Sequence, residues 1–247
     1  MITILNQNIE IKEIIYFLKT RVELKKICTE FLQKKIINNA IEMHDIEITA
    51  EEIQAQGDQI RRKRNLEKAE DTFAWLDEQL ITSEEWEAGI YDDLAAQKLA
   101  DHLFSQAVQD FFNQNQHQFE QVLLYEIIIP DEKLAWEIFY QIEEQELSFH
   151  QAAHLYNIDP ERRRCCGYVG FVHRHDLKPT IATQVFQATS GSILTPFPSE
   201  QGVHLFFVEQ FMPAELTDDI YQTLLKQMFQ NWLNQELNYM LLNQTDN

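Results

Sequence analysis

Apolar positions recur every three to four residues through the first half of the chain. Ile14, Ile15, Leu18, Val22 and Leu24 lead into Phe31, Leu32, Ile36 and Ala40, which is the spacing of one buried helix face. "ITAEEIQ" follows. Thr49 with Glu52 three residues on has the form of a capping box, in which the hydroxyl accepts from an early helix N–H and the carboxylate reaches back to the cap. "ITSEEWE" repeats the form at Thr82 and Glu85, with a shorter helical segment, "DTFAWLDEQL", between the two. After Thr82 the stripe Trp86, Ile90, Leu94, Leu99 and Leu103 runs toward Phe111 and Phe112. Each of these helices has an apolar stripe to bury, so they are expected to pack together.

The second half reads differently. "VLLYEIIIP" is a strand ended by Pro130, "DEKLAWEIFYQIEEQ" a helix, and "SFHQAAHLYN" a shorter helix capped by Ser148. "GYVGFVHR" is a strand, "KPTIATQVFQAT" a short helix after Pro179, "SILTPFPSE" a short edge strand with a turn, and "GVHLFFVEQF" the last strand. The order β-α-α-β-α-β-β makes the chain α+β. A final helix, "PAELTDDIYQTLLKQMFQNWLNQELNYML", places Pro213 in its first turn. Its stripe runs from Leu224 to Leu241, wide enough to need a large partner surface, for which the N-terminal helices are the candidate; the "LLNQTDN" tail is expected to fray. Breakers agree with this division: all six prolines lie at or after Pro130, and four of the six glycines lie between Gly167 and Gly202.

Charge removes several classes. The net charge of −20 argues against a nucleic-acid partner, because phosphate binding needs clustered Lys and Arg. No run of about 18 apolar residues marks a membrane span. Glu10, Lys12 and Glu13 interrupt the N-terminal apolar stretch, so no signal peptide is read there, and the expected compartment is the cytoplasm. Three cysteines, Cys28 alone and Cys165 beside Cys166, read as reduced thiols rather than a disulfide framework. His150 and His154, four apart, lack a third ligand with a matching signature, so no metal is expected. "RRRCC" reads as a solvated loop before the second strand. One residue stands out: His204, an imidazole in the otherwise apolar strand "VHLFFV".

From about Gln121 to Phe211 the chain resembles the parvulin-type (PpiC, rotamase) peptidyl-prolyl cis-trans isomerases. The resemblance rests on the helix pair "AWEIFYQIEEQELSFHQAAHLYNID", on Gly167 and Gly170 of "GYVG", and on Phe186, Gly191, Pro196, Gly202 and His204 at the family's spacings. The flanking helices resemble SurA-like and PrsA-like foldases. That likeness implies a helical client-binding domain over 1–118, an isomerase domain inserted over 119–212, and a C-terminal helix over 213–247 packing back on the first domain. It implies unfolded or proline-containing polypeptide clients, no cofactor, and a periplasmic alternative for the compartment. No oligomeric state follows from it.

Carried over by position, the family's proline socket falls on Val169, Leu177, Ile181 and Phe186. The polar set falls on His204, Ser199 and Asp159, the last with one residue inserted before Gly167. Glu126 stands where the family has its first-strand histidine. A carboxylate there can accept from His204 and orient it, and can also favour the imidazolium. The implied activity is prolyl isomerisation with folding-chaperone character, of low rate if Glu126 weakens the site. The alternative is a peptide-binding chaperone with a degenerate, inactive domain. The loop after the first strand, "IPDEK", is short and net acidic, which argues against selectivity for phosphorylated Ser or Thr.

Overall fold

The computed structural model describes residues 2–4 and 7–244. The chain begins with a hairpin of β1 (Ile2–Ile4) and β2 (Gln7–Ile9), followed by α1 (Ile11–Thr20), α2 (Leu24–Met43), α3 (Ala50–Lys63), α4 (Ala69–Glu78) and α5 (Ser83–Gln114). After the short α6 (Gln116–Phe119) come β3 (Gln121–Ile129), α7 (Glu132–Glu143), α8 (Phe149–Tyr156), α9 (Pro160–Arg164) and β4 (Tyr168–His173). A 3-10 turn at Arg174–Asp176 leads to α10 (Pro179–Val185), β5 (Ser192–Ile193), β6 (Phe197–Ser199), β7 (Gly202–Met212) and α11 (Asp218–Gln244). The fold is α+β. Two compact units divide it: Met1–Gln109 with Asp218–Asn247, and Asp110–Thr217.

In the first unit, both predicted capping boxes form. Glu52 N–H donates to Thr49 Oγ1 and Thr49 N–H to Glu52 Oε2; Thr82 and Glu85 repeat the exchange. The Lys98 ammonium of α5 donates to both Glu47 O and Glu52 Oε2 at 2.7 Å, tying the start of α3 to α5. Ala40 and Ile41 of α2 pack with Ala95 and Leu99 of α5 and with Phe229 and Trp232 of α11. Ile36 meets Leu233 and Leu237.

Three expectations change here. The N-terminal stripe is split, because Val22 adopts a left-handed backbone (φ 60°) between α1 and α2 and is exposed. No residue of α1 is buried: Ile14 and Leu18 are half-buried, and Ile11, Ile15, Tyr16 and Phe17 are exposed. Pro213 lies ahead of α11, which starts only at Asp218 with Asp218 and Asp219 in its first turn. That helix runs to Gln244; the rest of the tail expected to fray lies outside the described residues.

The second unit is a five-stranded sheet in the order β4-β3-β7-β5, with β6 pairing to β7; all pairings are antiparallel. Alternation along β3 and β7 gives the sheet two buried faces. On one, Ile127, Ile129, Val203 and Leu205 pack against Ala135, Ile138 and Phe139 of α7 and Phe149, Ala152 and Ala153 of α8. On the other, Val122, Leu124, Phe206 and Val208 pack against Val185 of α10. His150, set aside as a metal ligand, has its ring 4.8 Å from that of Tyr125. "RRRCC" is not wholly a loop. Asp159 caps α9, Pro160 occupies its first turn, and Arg162 to Arg164 are helical.

Candidate functional site

Glu126 and His204 sit diagonally on the face that carries α10. In the β3–β7 register Glu126 opposes Phe206 and Ile128 opposes His204, so the two polar side chains point the same way one step apart. The backbone of Glu126 is clamped on both sides. Its N–H donates to Gly167 O at 2.7 Å, and its carbonyl accepts from Asn157 Nδ2 at 3.0 Å. Asn157 is fully buried and also accepts from Ile128 N–H and Asp159 N–H through Oδ1. That one side chain therefore joins the end of α8 to β3 and fixes where Glu126 points. Gly167 (φ +86°) comes so close that an added Cβ would lie 3.0 Å from the Glu126 carbonyl oxygen and 3.1 Å from Ala153 Cβ, which explains the first glycine of "GYVG".

The side chains form a continuous polar chain. His204 Nδ1 lies 2.5 Å from Glu126 Oε1, and His204 Nε2 lies 2.6 Å from Ser199 Oγ. Gln201 N–H donates to Ser199 Oγ at 3.0 Å. Arg162 Nη1 pairs with Glu126 Oε2, and Arg162 Nε is 3.8 Å from Asp159 Oδ2. The imidazole is 7% exposed and stacks on Phe206, with an interplanar angle of 10°. Burial pushes its pKa below the ordinary 6.5, and the charges of Arg162 and Lys178 push the same way. The imidazolium that Glu126 was expected to favour is thus opposed, because Arg162 compensates the carboxylate. In a neutral ring, Nδ1–H donates to Glu126 and Nε2 accepts the Ser199 O–H.

A cavity of about 710 Å³ opens beside this chain. Leu124, Val169, Leu177, Ile181, Phe197 and Phe206 give it an apolar wall; Glu126, Arg162, Ser199 and His204 give it a polar one. Val169 is set by a bulge: Leu124 pairs with Gly170 and Tyr125 with Tyr168, which leaves Val169 unmatched between them. Thus Val169, Leu177, Ile181, Ser199, His204 and Glu126 are brought together. Asp159 and Phe186 do not line the cavity. Asp159 Oδ1 accepts from Glu161 N–H and Arg162 N–H as the α9 cap. Phe186 packs in the sheet core with the Arg174 guanidinium 4.5 Å from its ring centroid. Arg162 and Asn157 are the residues that the sequence reading missed. The Asp-Pro pair before the arginines was the available signal, since it marks a helix start that turns Arg162 back toward β3.

An antiparallel sheet with helices on both faces thus carries an apolar cavity walled on one side by a hydrogen-bonded hydroxyl and imidazole. Residues 131–210 match the rotamase family, PPIC-type PPIASE domain. This segment of the chain is therefore a PPIC-type peptidyl-prolyl isomerase domain. Three solved structures are similar at low identity. The peptidylprolyl isomerase PrsA of Bacillus cereus is 17% identical with TM-score 0.49, covering 100% of this chain and 92% of its own. PrsA of Bacillus anthracis is 15% identical with TM-score 0.39, covering 89% of this chain and 97% of its own. A SurA-like chaperone of Campylobacter jejuni is 19% identical with TM-score 0.38, covering 98% of this chain and 96% of its own. No curated protein matches the chain.

Proposed function

We propose that the chain is a peptidyl-prolyl cis-trans isomerase that also holds unfolded polypeptide clients. The carrying observation is the apolar cavity with the Ser199–His204–Glu126 chain in its wall, inside the segment matched to the isomerase family. Rotation about an X-Pro bond breaks no σ bond and moves no proton. Its barrier is the loss of amide resonance, roughly 18–20 kcal/mol. A site lowers that barrier by gripping the ring and favouring the twisted amide over the planar one. Here Val169, Leu177, Ile181 and Phe206 take the ring. The X-Pro amide then lies beside Ser199 and His204, shielded from water that would stabilise the planar, more polar form.

Exchange NMR on Ala-Pro peptides tests this. Wild type accelerates cis-trans exchange, and His204→Ala lowers the rate on the order of 100-fold. No acceleration by a folded wild type would leave a peptide-holding domain without turnover. The client-holding role is supported by Ile11, Tyr16 and Phe17, which α1 leaves exposed. In an aggregation assay, Tyr16→Ser with Phe17→Ser in the full chain is expected to weaken suppression without lowering thermal stability.

A further inference from the structure

Arg162 stands beside the isomerase site without being among the positions that the resemblance carried over. It lies on α9, and 36 residues separate it from Glu126 in sequence. Asp159 caps α9 and approaches the Arg162 guanidinium, so the same residue starts the helix and steadies its arginine. The Glu126 side chain is 9% exposed. A carboxylate this buried, facing only a neutral imidazole, would carry an uncompensated charge, a costly arrangement in a protein interior. Its two oxygens are divided: Oε1 goes to His204, and Oε2 goes to a cation that is never deprotonated.

The other groups facing His204 are Ser199 from β6, Lys178 ahead of α10, and Asp176 and Glu200 at the cavity. With the ring neutral and Glu126 ionised, a single proton arrangement satisfies the chain. Gln201 N–H donates to Ser199 Oγ, Ser199 O–H to His204 Nε2, and His204 Nδ1–H to Glu126 Oε1. Without Arg162, the bare carboxylate 2.5 Å from Nδ1 favours the imidazolium. Nε2 then becomes a donor, and Ser199 has to turn its proton elsewhere.

We propose that Arg162 is a positioning residue of the isomerase site: its pairing with Glu126 lets a carboxylate replace an imidazole on the first strand while the Ser199–His204 pair keeps one proton arrangement. The inference rests on the isomerase reading, and its test separates the two.

The full-length chain, with 15N-labelled histidine, is titrated between pH 5 and 9 by long-range 1H–15N correlation. Wild type shows His204 as the neutral Nδ1–H tautomer at pH 7. Arg162→Ala is expected to raise the His204 midpoint by about 1 pH unit or more. Adding Glu126→Gln to Arg162→Ala removes the carboxylate and returns the neutral ring, and Arg162→Lys keeps it. Should Arg162→Ala not fold, Arg162→Gln retains a donor without the charge and is expected to show the same rise. A midpoint and tautomer unchanged in Arg162→Ala or Arg162→Gln would overturn the proposal, as would a rise that Glu126→Gln fails to reverse. In exchange NMR, the rate loss of Arg162→Ala is deepest near pH 6 and shrinks toward pH 8. A wild type that does not accelerate exchange sinks the isomerase reading alone, because the titration still decides what Arg162 does.

Discussion

The two faces of the β3–β7 pair are built from alternate residues of the same strands, yet they do opposite work. The face under α7 and α8 presents Ile127, Ile129, Val203 and Leu205, all buried and apolar, to two helices. The face under α10 begins the same way with Val122, Leu124, Phe206 and Val208, but replaces two positions with Glu126 and His204 and opens into a cavity. Buried polar groups stabilise little unless every donor and acceptor is matched. The comparison teaches how this sheet tolerates a polar site. One face supplies the cohesion, and backbone clamps from Asn157 and Gly167 hold the other face in place.

The strongest way to break that comparison is to damage the apolar face. Leu205→Ala removes a fully buried side chain and leaves a cavity, which costs about 2–5 kcal/mol. Denaturant unfolding is expected to show this loss, while the folded fraction isomerises peptides at the wild-type rate. His204→Ala is the converse, with its main effect on rate. A Leu205→Ala protein that is stable but slow would mean that the faces are not separable.

Gly167→Ala acts on both faces and sharpens the point where they join. The left-handed backbone alone costs an alanine about 1–2 kcal/mol, and its Cβ would press on the Glu126 carbonyl oxygen and on Ala153 of α8. We expect a stability loss near the upper end of that range together with a lower isomerase rate, because the strand carrying Glu126 is displaced. Unchanged His204 and Glu126 signals in this variant would show that the clamp is dispensable.

Local chemistry was legible in the sequence; long-range chemistry was not. The boxes at Thr49 with Glu52 and Thr82 with Glu85 close within four residues, so residue types alone reveal them. The strands and helices of the second unit follow their periodicity for the same reason. Val22 broke the N-terminal stripe because a β-branched residue in a left-handed backbone has no sequence signal. The grouping of Glu126, Ser199 and His204 was reached through resemblance, since no pattern within one element links residues 73 and 78 positions apart. Arg162 escaped because a run of three arginines looks solvated until α9 is recognised as a helix. Asn157 gave no signal either, as its side-chain bonds to Glu126 O and Ile128 N–H reach a strand about 30 residues away that only the fold brings near.

The smallest expected effect is on pH dependence, and its sign tests the electrostatics of the polar face. His204 is held below 6.5 in the folded chain, first by burial and then by Arg162 and Lys178. In the unfolded chain it titrates near 6.5. Between the folded and unfolded values the unfolded chain binds more protons, so stability rises with pH across that window. The contribution of the neutral ring is fully present above about pH 6.5 and is lost as pH falls toward the folded value, at no more than about 1.4 kcal/mol per pH unit. The other histidines also titrate, so the useful quantity is the difference between wild type and His204→Gln in denaturant unfolding. That difference is expected to stay level well above about pH 6.5, where the ring is neutral in both folded and unfolded chains, and to shrink on acidification. A difference that grows as pH falls would mean that Glu126 dominates and His204 is charged, and the polar face would then be a buried ion triad instead of a neutral hydrogen-bond chain.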